Sequence, residues 1–128
     1  MNKIELPDPW KDIRGCIQNL LELDAKAAPI RGVSFITSRA RTTRSNHYHK
    51  TDGHWLYVIS GEMDYWERPL DAAKYPQHPL IVKTGEMVYT GPLMWHRTYF
   101  RDETLLLSLS LNARDHVGHE SDVVREKA

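Results

Sequence analysis

Along most of the chain, apolar and polar residues alternate in runs of roughly four to eight, the pattern of strands with one buried face. Gly, Pro or Asp separates one run from the next, which marks turns. The clearest run is His54–Ser60 (HWLYVIS), where His54, Leu56 and Val58 share one face and Trp55, Tyr57 and Ile59 the other. Residues 33–38, 63–67, 80–82, 86–90, 96–100 and 104–111 read as further strands, and 45–50 as a short extended segment. Thr51-Asp52-Gly53 predicts a tight hairpin, because Asp-Gly favours that turn. Residues 69–79 carry three prolines and read as a loop. Residues 15–23 are too short a run to separate helix from strand. Residues 1–14 read as an arm or edge strand, and the charged tail from Asn112 as partly helical or loose. Roughly seven to nine short strands with regular turns predict an all-β sandwich or barrel in a single domain. Its core would span about 30–111, with an N-terminal arm over 1–29 and a C-terminal tail over 112–128.

Composition narrows the function classes. The chain has 128 residues, enough to bury a core without disulfides. Lys plus Arg and Asp plus Glu are 17 each, so the net charge is zero. That balance argues against a nucleic-acid partner held by phosphate contacts, and against an anionic membrane surface. Cys16 is the single cysteine, which excludes an internal disulfide and a cysteine-cluster zinc site; it reads as a small buried residue. No run approaches the ~18 apolar residues of a membrane span. Residues 1–10 lack the apolar stretch of a secretory signal, so the cytoplasm is the expected compartment.

Seven histidines change the picture more than charge does. His47 and His49, two apart on an extended segment, point the same way. His54 opens the next strand after the 51–53 turn, as partner to the first, and His96 opens another far downstream. Four imidazoles can therefore meet at one mouth of a barrel. Neutral imidazole suits a divalent transition metal (Fe, Mn, Ni, Cu or Zn), and three or four such ligands leave positions open for water or substrate. The plainer alternative is that these are polar residues placed for packing and hydrogen bonding. Arg39, Arg41 and Arg44 form either an anion clamp or a solvated turn. The aromatic residues around the histidines line a pocket or pack a core and an interface. The outward apolar face of 54–60 needs cover, and a second subunit would supply it, so a homodimer is expected. His78 reads as solvent-exposed, and His116 and His119 as parts of an exposed tail.

The stretch His47-x-His49-x4-His54-x6-Gly61 resembles the first cupin motif, and Gly85-x5-Gly91-x-Leu93-x2-His96 the second. The likeness covers about 33–111 and implies a double-stranded β-helix, or jelly-roll, barrel with one metal. By that resemblance His47, His49 and His96 are ligands, and His54 stands where cupins usually carry Glu, which implies an all-histidine site. A further resemblance runs from Asp12-Ile13-Arg14-Gly15 through 44–50 (RSNHYHK) to 89–95 (YTGPLMW). These segments are similar to nucleotide-sugar epimerases and dTDP-sugar 3,4-ketoisomerases, cupin-like enzymes that work without metal. That resemblance implies His47 and His49 as acid and base, Tyr89 as a catalytic pocket residue, and Arg44 and Trp95 as substrate contacts. The leading expectation is a metal-dependent cupin enzyme of dioxygenase or isomerase type, with metal on His47, His49, His54 and His96. The alternatives are a metal-free nucleotide-sugar ketoisomerase or epimerase and a non-catalytic small-molecule-binding cupin, since fold does not choose among them.

Overall fold

Alternation does produce strands over most of the chain. The structure is a computed structural model that describes residues 1–20, 29–113 and 116–126. Among them are β1 (Trp10–Asp12), β2 (Gly15–Ile17), β3 (Gly32–Ser38), β4 (Thr42–His49), β5 (His54–Ser60), β6 (Glu62–Pro69), β7 (Leu80–Lys83), β8 (Met87–Thr90), β9 (Met94–Phe100) and β10 (Thr104–Ser110). A short helix α1 (His116–Asp122) and β11 (Val123–Arg125) follow. The ambiguous run 15–23 begins as a strand; its residues 21–23 lie outside the described residues. No described helix is long and apolar enough to cross a membrane.

β1 and β2 form a small hairpin. The other strands make a four-stranded sheet, β3-β10-β5-β8, and a five-stranded sheet, β11-β4-β9-β6-β7. From β3 to β11 every connection except β6–β7 switches sheet, which is how a jelly roll is wound. The predicted 51–53 hairpin is therefore corrected: β4 and β5 lie in different sheets, and the turn is a corner between them. Asp52 makes that corner. Its side chain accepts the N–H groups of Leu111 (3.1 Å) and Asn112 (3.0 Å), so the chain is tied to the end of β10 instead of folding back on itself.

The inward faces of the two sheets meet in layers. Val58, Met63, Phe100 and Leu106 fill one end, with Leu56, Tyr65 and Val88 above them. Toward the other end the inward positions turn polar: Ser108, Ser110, Thr90, His54, His49 and His96 are all buried. One end of the barrel is thus a packed core and the other is a lined site.

Gly61 turns the chain between β5 and β6 with φ of 97°, a conformation that costs little only for glycine. A Cβ there would stand 2.7 Å from the Glu103 carbonyl oxygen and 2.9 Å from Thr104 Cα, both backbone atoms. Gly61→Ala should cost ~1–3 kcal/mol. The urea midpoint reads this directly, and an unchanged midpoint would contradict it.

Candidate functional site

His47 and His49 face inward because of one extra residue. Up to Ser45, β4 pairs with β9 in a regular register, Ser45 opposite Arg97. The register then shifts, and His47 stands opposite His96. Without that bulge His47 would fall opposite Trp95 and turn outward, because a one-residue slip reverses every later side chain. Ser45 (φ 71°) and Asn46 (φ 63°) carry the left-handed backbone of the bulge.

The imidazoles then crowd together. The His47 ring lies 4.9 Å from that of His49 and 4.7 Å from that of His96, both edge-on. Nitrogens of His47, His49 and His96 all come within 4.8 Å of one another. The His54 ring is 5.5 Å from His49 and 5.2 Å from His96, beside this trio. His49, His54 and His96 are buried and His47 is partly exposed. His96 Nδ1 lies 3.1 Å from the Met94 carbonyl oxygen. A carbonyl only accepts, so Nδ1 carries a proton and donates it.

The tail, expected to be partly helical or loose, returns to the barrel. β11 pairs with the histidine strand, Val123 opposite His49 and Arg125 opposite His47. The Asp122 carboxylate accepts the Thr51 N–H (2.9 Å), the Thr51 hydroxyl (2.8 Å) and the Asp52 N–H (3.2 Å). It also faces His49 Nδ1 at 3.3 Å. Burial pushes the pKa of Asp122 up, but those hydrogen bonds and the facing imidazole outweigh it and hold the carboxyl below its usual range. His119, expected in an exposed tail, is half-buried with its ring 5.5 Å from His49 and 6.5 Å from His47.

Glu67 is a further residue of the site: it pairs with His96 across β6 and β9 and shares its inward face. Its carboxylate accepts the Tyr65 hydroxyl (2.8 Å), which also meets the Thr90 hydroxyl at 2.5 Å. Burial, the leading cause, drives the Tyr65 pKa far up, so this phenol stays neutral. The signal was present: Glu67 is two residues from Tyr65 and falls on the inward parity of its strand.

Three expected site residues are not brought to the histidines. Trp95 precedes inward His96 and so faces outward, edge-on to Tyr48 (4.8 Å) with the Arg68 guanidinium 4.7 Å above its ring. Tyr89 precedes inward Thr90, packs on Trp55 at 4.7 Å on the outer face of its sheet, and directs its hydroxyl at Gly53. Burial, then the nearby Asp52 charge, raises its pKa, so it is no base at neutral pH. Arg44 is committed to β3, donating to Ser38 Oγ (2.8 Å) and the Thr37 carbonyl (2.8 Å). Cys16 is exposed on the β1–β2 hairpin and not buried as expected, because no described part of the chain covers that hairpin. His78 is exposed, as its proline loop implied.

Comparison with known proteins bears on this arrangement. No curated protein matches the chain by sequence. Among solved structures, it is similar to a double mutant of the 3,4-ketoisomerase QdtA from Thermoanaerobacterium thermosaccharolyticum in complex with TDP. The TM-score is 0.73 and the identity 25%, over 98% of this chain and 86% of that one. A second variant of that enzyme, in complex with TDP-4-keto-6-deoxyglucose, gives 0.73 and 21% over 98% and 86%. A dTDP sugar isomerase from Desulfovibrio desulfuricans gives 0.71 and 13% over 98% and 83%. The family model described as cupin domain matches residues 35–110, which include both sheets' histidines and the turns between them; this chain belongs to the cupin family.

Proposed function

We propose that the chain is an isomerase or epimerase of nucleotide-linked keto sugars that works by proton transfer among inward-facing histidines. The observation that carries this is the convergence of His47, His49 and His96 nitrogens within 4.8 Å inside the barrel. The likeness to the TDP-bound 3,4-ketoisomerase supports the substrate class, and favours isomerase over dioxygenase chemistry.

The chemistry needs an acid and a base side by side. A hydrogen on the carbon next to a carbonyl is acidic because its anion is delocalised as an enolate, which is an enediolate where that carbon also bears a hydroxyl. Removing it, shifting the hydroxyl proton and returning a proton to the former carbonyl carbon moves the carbonyl by one position, with no net oxidation. His49, its Nδ1 turned to Asp122, presents Nε2 as the base. His47, less buried and 4.9 Å away, is the acid partner. Glu67, Tyr65 and Thr90 form a hydrogen-bonded floor beside His96.

The same trio also fits a divalent metal, which is the second reading. Three imidazoles converge; His96 Nδ1 meets the Met94 carbonyl oxygen, the arrangement that fixes a ligating ring with Nε2 inward, and His49 Nδ1 lies 3.3 Å from the Asp122 carboxylate. His47, His49 and His96 would hold the ion, with His54 alongside as the fourth candidate. When bound, such an ion would polarise the sugar carbonyl. Incubating the purified chain with TDP-4-keto-6-deoxyglucose and following the carbonyl carbon by NMR tests the proposal. Migration of the carbonyl or inversion at its neighbour is expected, and an unchanged sugar would count against it.

A second copy of the chain is the proposed partner of the outer four-stranded face. Val33 (67%) and Phe35 (71%) are exposed there, and the hairpin leaves Trp10 (76%) and Ile17 (66%) uncovered. Exposed apolar side chains on a sheet face mark association surfaces. Light scattering should give a dimer mass, and Phe35→Glu should reduce it to that of one chain. A monomeric wild type would overturn this assignment.

A further inference from the structure

We propose that the C-terminal segment is a working wall of the site, with His119 as its substrate-facing imidazole and Asp122 as the residue that holds it there. The inference rests on the isomerase reading and extends it to a part of the chain outside the matched family region, which ends at residue 110.

The geometry assigns the role. His119 lines a cleft of about 270 Å³ together with Arg31, Asp52, Asn112 and Asp122. Its ring also reaches the buried cluster, 5.5 Å from His49 and 6.5 Å from His47. It therefore stands between the cleft it lines and the histidine cluster, and a sugar lying in the cleft would meet it. From there it can hydrogen-bond the hydroxyl or carbonyl oxygen next to the reacting carbon.

Asp122 sets this placement through the hydrogen bonds to the 51–52 corner described above. The segment is held on both sides of it. The Asp122 carbonyl accepts the Lys50 N–H (2.9 Å), and the Glu126 N–H reaches the Asn46 carbonyl (3.1 Å). Glu120 and Arg125 pair through two hydrogen bonds of 2.8 and 2.9 Å. The carboxylate that anchors the segment also faces His49 Nδ1, so one residue positions both the proposed base and the added imidazole.

The test uses the full chain with His119→Ala, His119→Asn and Asp122→Asn. With TDP-4-keto-6-deoxyglucose as substrate, both His119 variants should lose ~10²-fold in kcat/KM, the lower end for one acid–base group. Asp122→Asn should lower kcat more than it raises KM, because the Asp122 carboxylate is engaged by Thr51 and Asp52 and acts through His49 and His119. His119 variants with wild-type kcat/KM would overturn the inference and leave the isomerase reading standing. A wild type that does not turn over the sugar would defeat the isomerase reading instead. Imidazole ¹⁵N–¹H spectra then decide the placement: His119→Ala should move the His47 and His49 signals and leave exposed His78 alone. Unmoved His47 and His49 signals would overturn it.

Discussion

Replacing His47 with alanine should lower turnover of the keto sugar by ~10²–10⁴-fold, the usual loss for a general acid or base. The fold should survive, because His47 sits partly exposed at the polar end, away from the packed core. His96→Ala then separates the two readings. If histidines alone move the proton, His96 stands beside the pair, and its loss should be much milder than that of His47. If an ion on His47, His49 and His96 is required, each substitution removes a ligand, and both should lose metal and activity together. A chelator would then inactivate the wild type, and added metal would restore it. Steady-state rates for the two variants, with metal content measured on the same samples, give the answer. A His47→Ala variant with wild-type turnover would remove the basis of both readings.

Phe100→Ala should produce the largest loss of stability, ~3–5 kcal/mol. Phe100 has no exposed surface and lies where Val58, Met63 and Leu106 meet between the sheets. Removing the ring forfeits its burial and leaves a cavity that two hydrogen-bonded sheets cannot easily collapse. A domain of this kind has ~5–15 kcal/mol in total, so thermal unfolding should move down by on the order of 10 °C. Phe100 is four residues along β9 from His96, at the far end of the barrel, so activity at low temperature should persist. A melting temperature within a degree or two of wild type, or activity lost in a still-folded protein, would contradict this separation of core from site.

The strands were legible because period-two alternation is local: HWLYVIS shows its inward and outward faces without any partner. The histidines at 47, 49, 54 and 96 were legible by spacing and by the cupin resemblance. The same alternation, applied to 95–96 and 89–90, would have turned Trp95 and Tyr89 away from the site, but the resemblance drew both toward it. The 51–53 corner was not legible, because Asp-Gly favours a hairpin locally and only the long-range bonds from Asp52 to Leu111 and Asn112 make it a sheet crossing. The bulge at Ser45-Asn46 has no glycine to announce it, although it decides which way His47 points. His119 and Asp122 escaped for a related reason. In sequence they belong to a charged tail, and their meaning comes from β11 pairing with β4 more than seventy positions away in the chain.

Incubating the metal-stripped wild type with TDP-4-keto-6-deoxyglucose in D2O and locating deuterium in the recovered sugar by NMR reads out proton transfer to carbon by the histidine cluster. Deuterium should appear on a carbon adjacent to or replacing the original carbonyl, with His47→Ala as the inactive control. Deuterium that appears only after a divalent metal is restored would place the ion in the site and keep the histidines as its ligands. A sugar that stays free of deuterium with and without added metal would rule out proton transfer to carbon by these histidines.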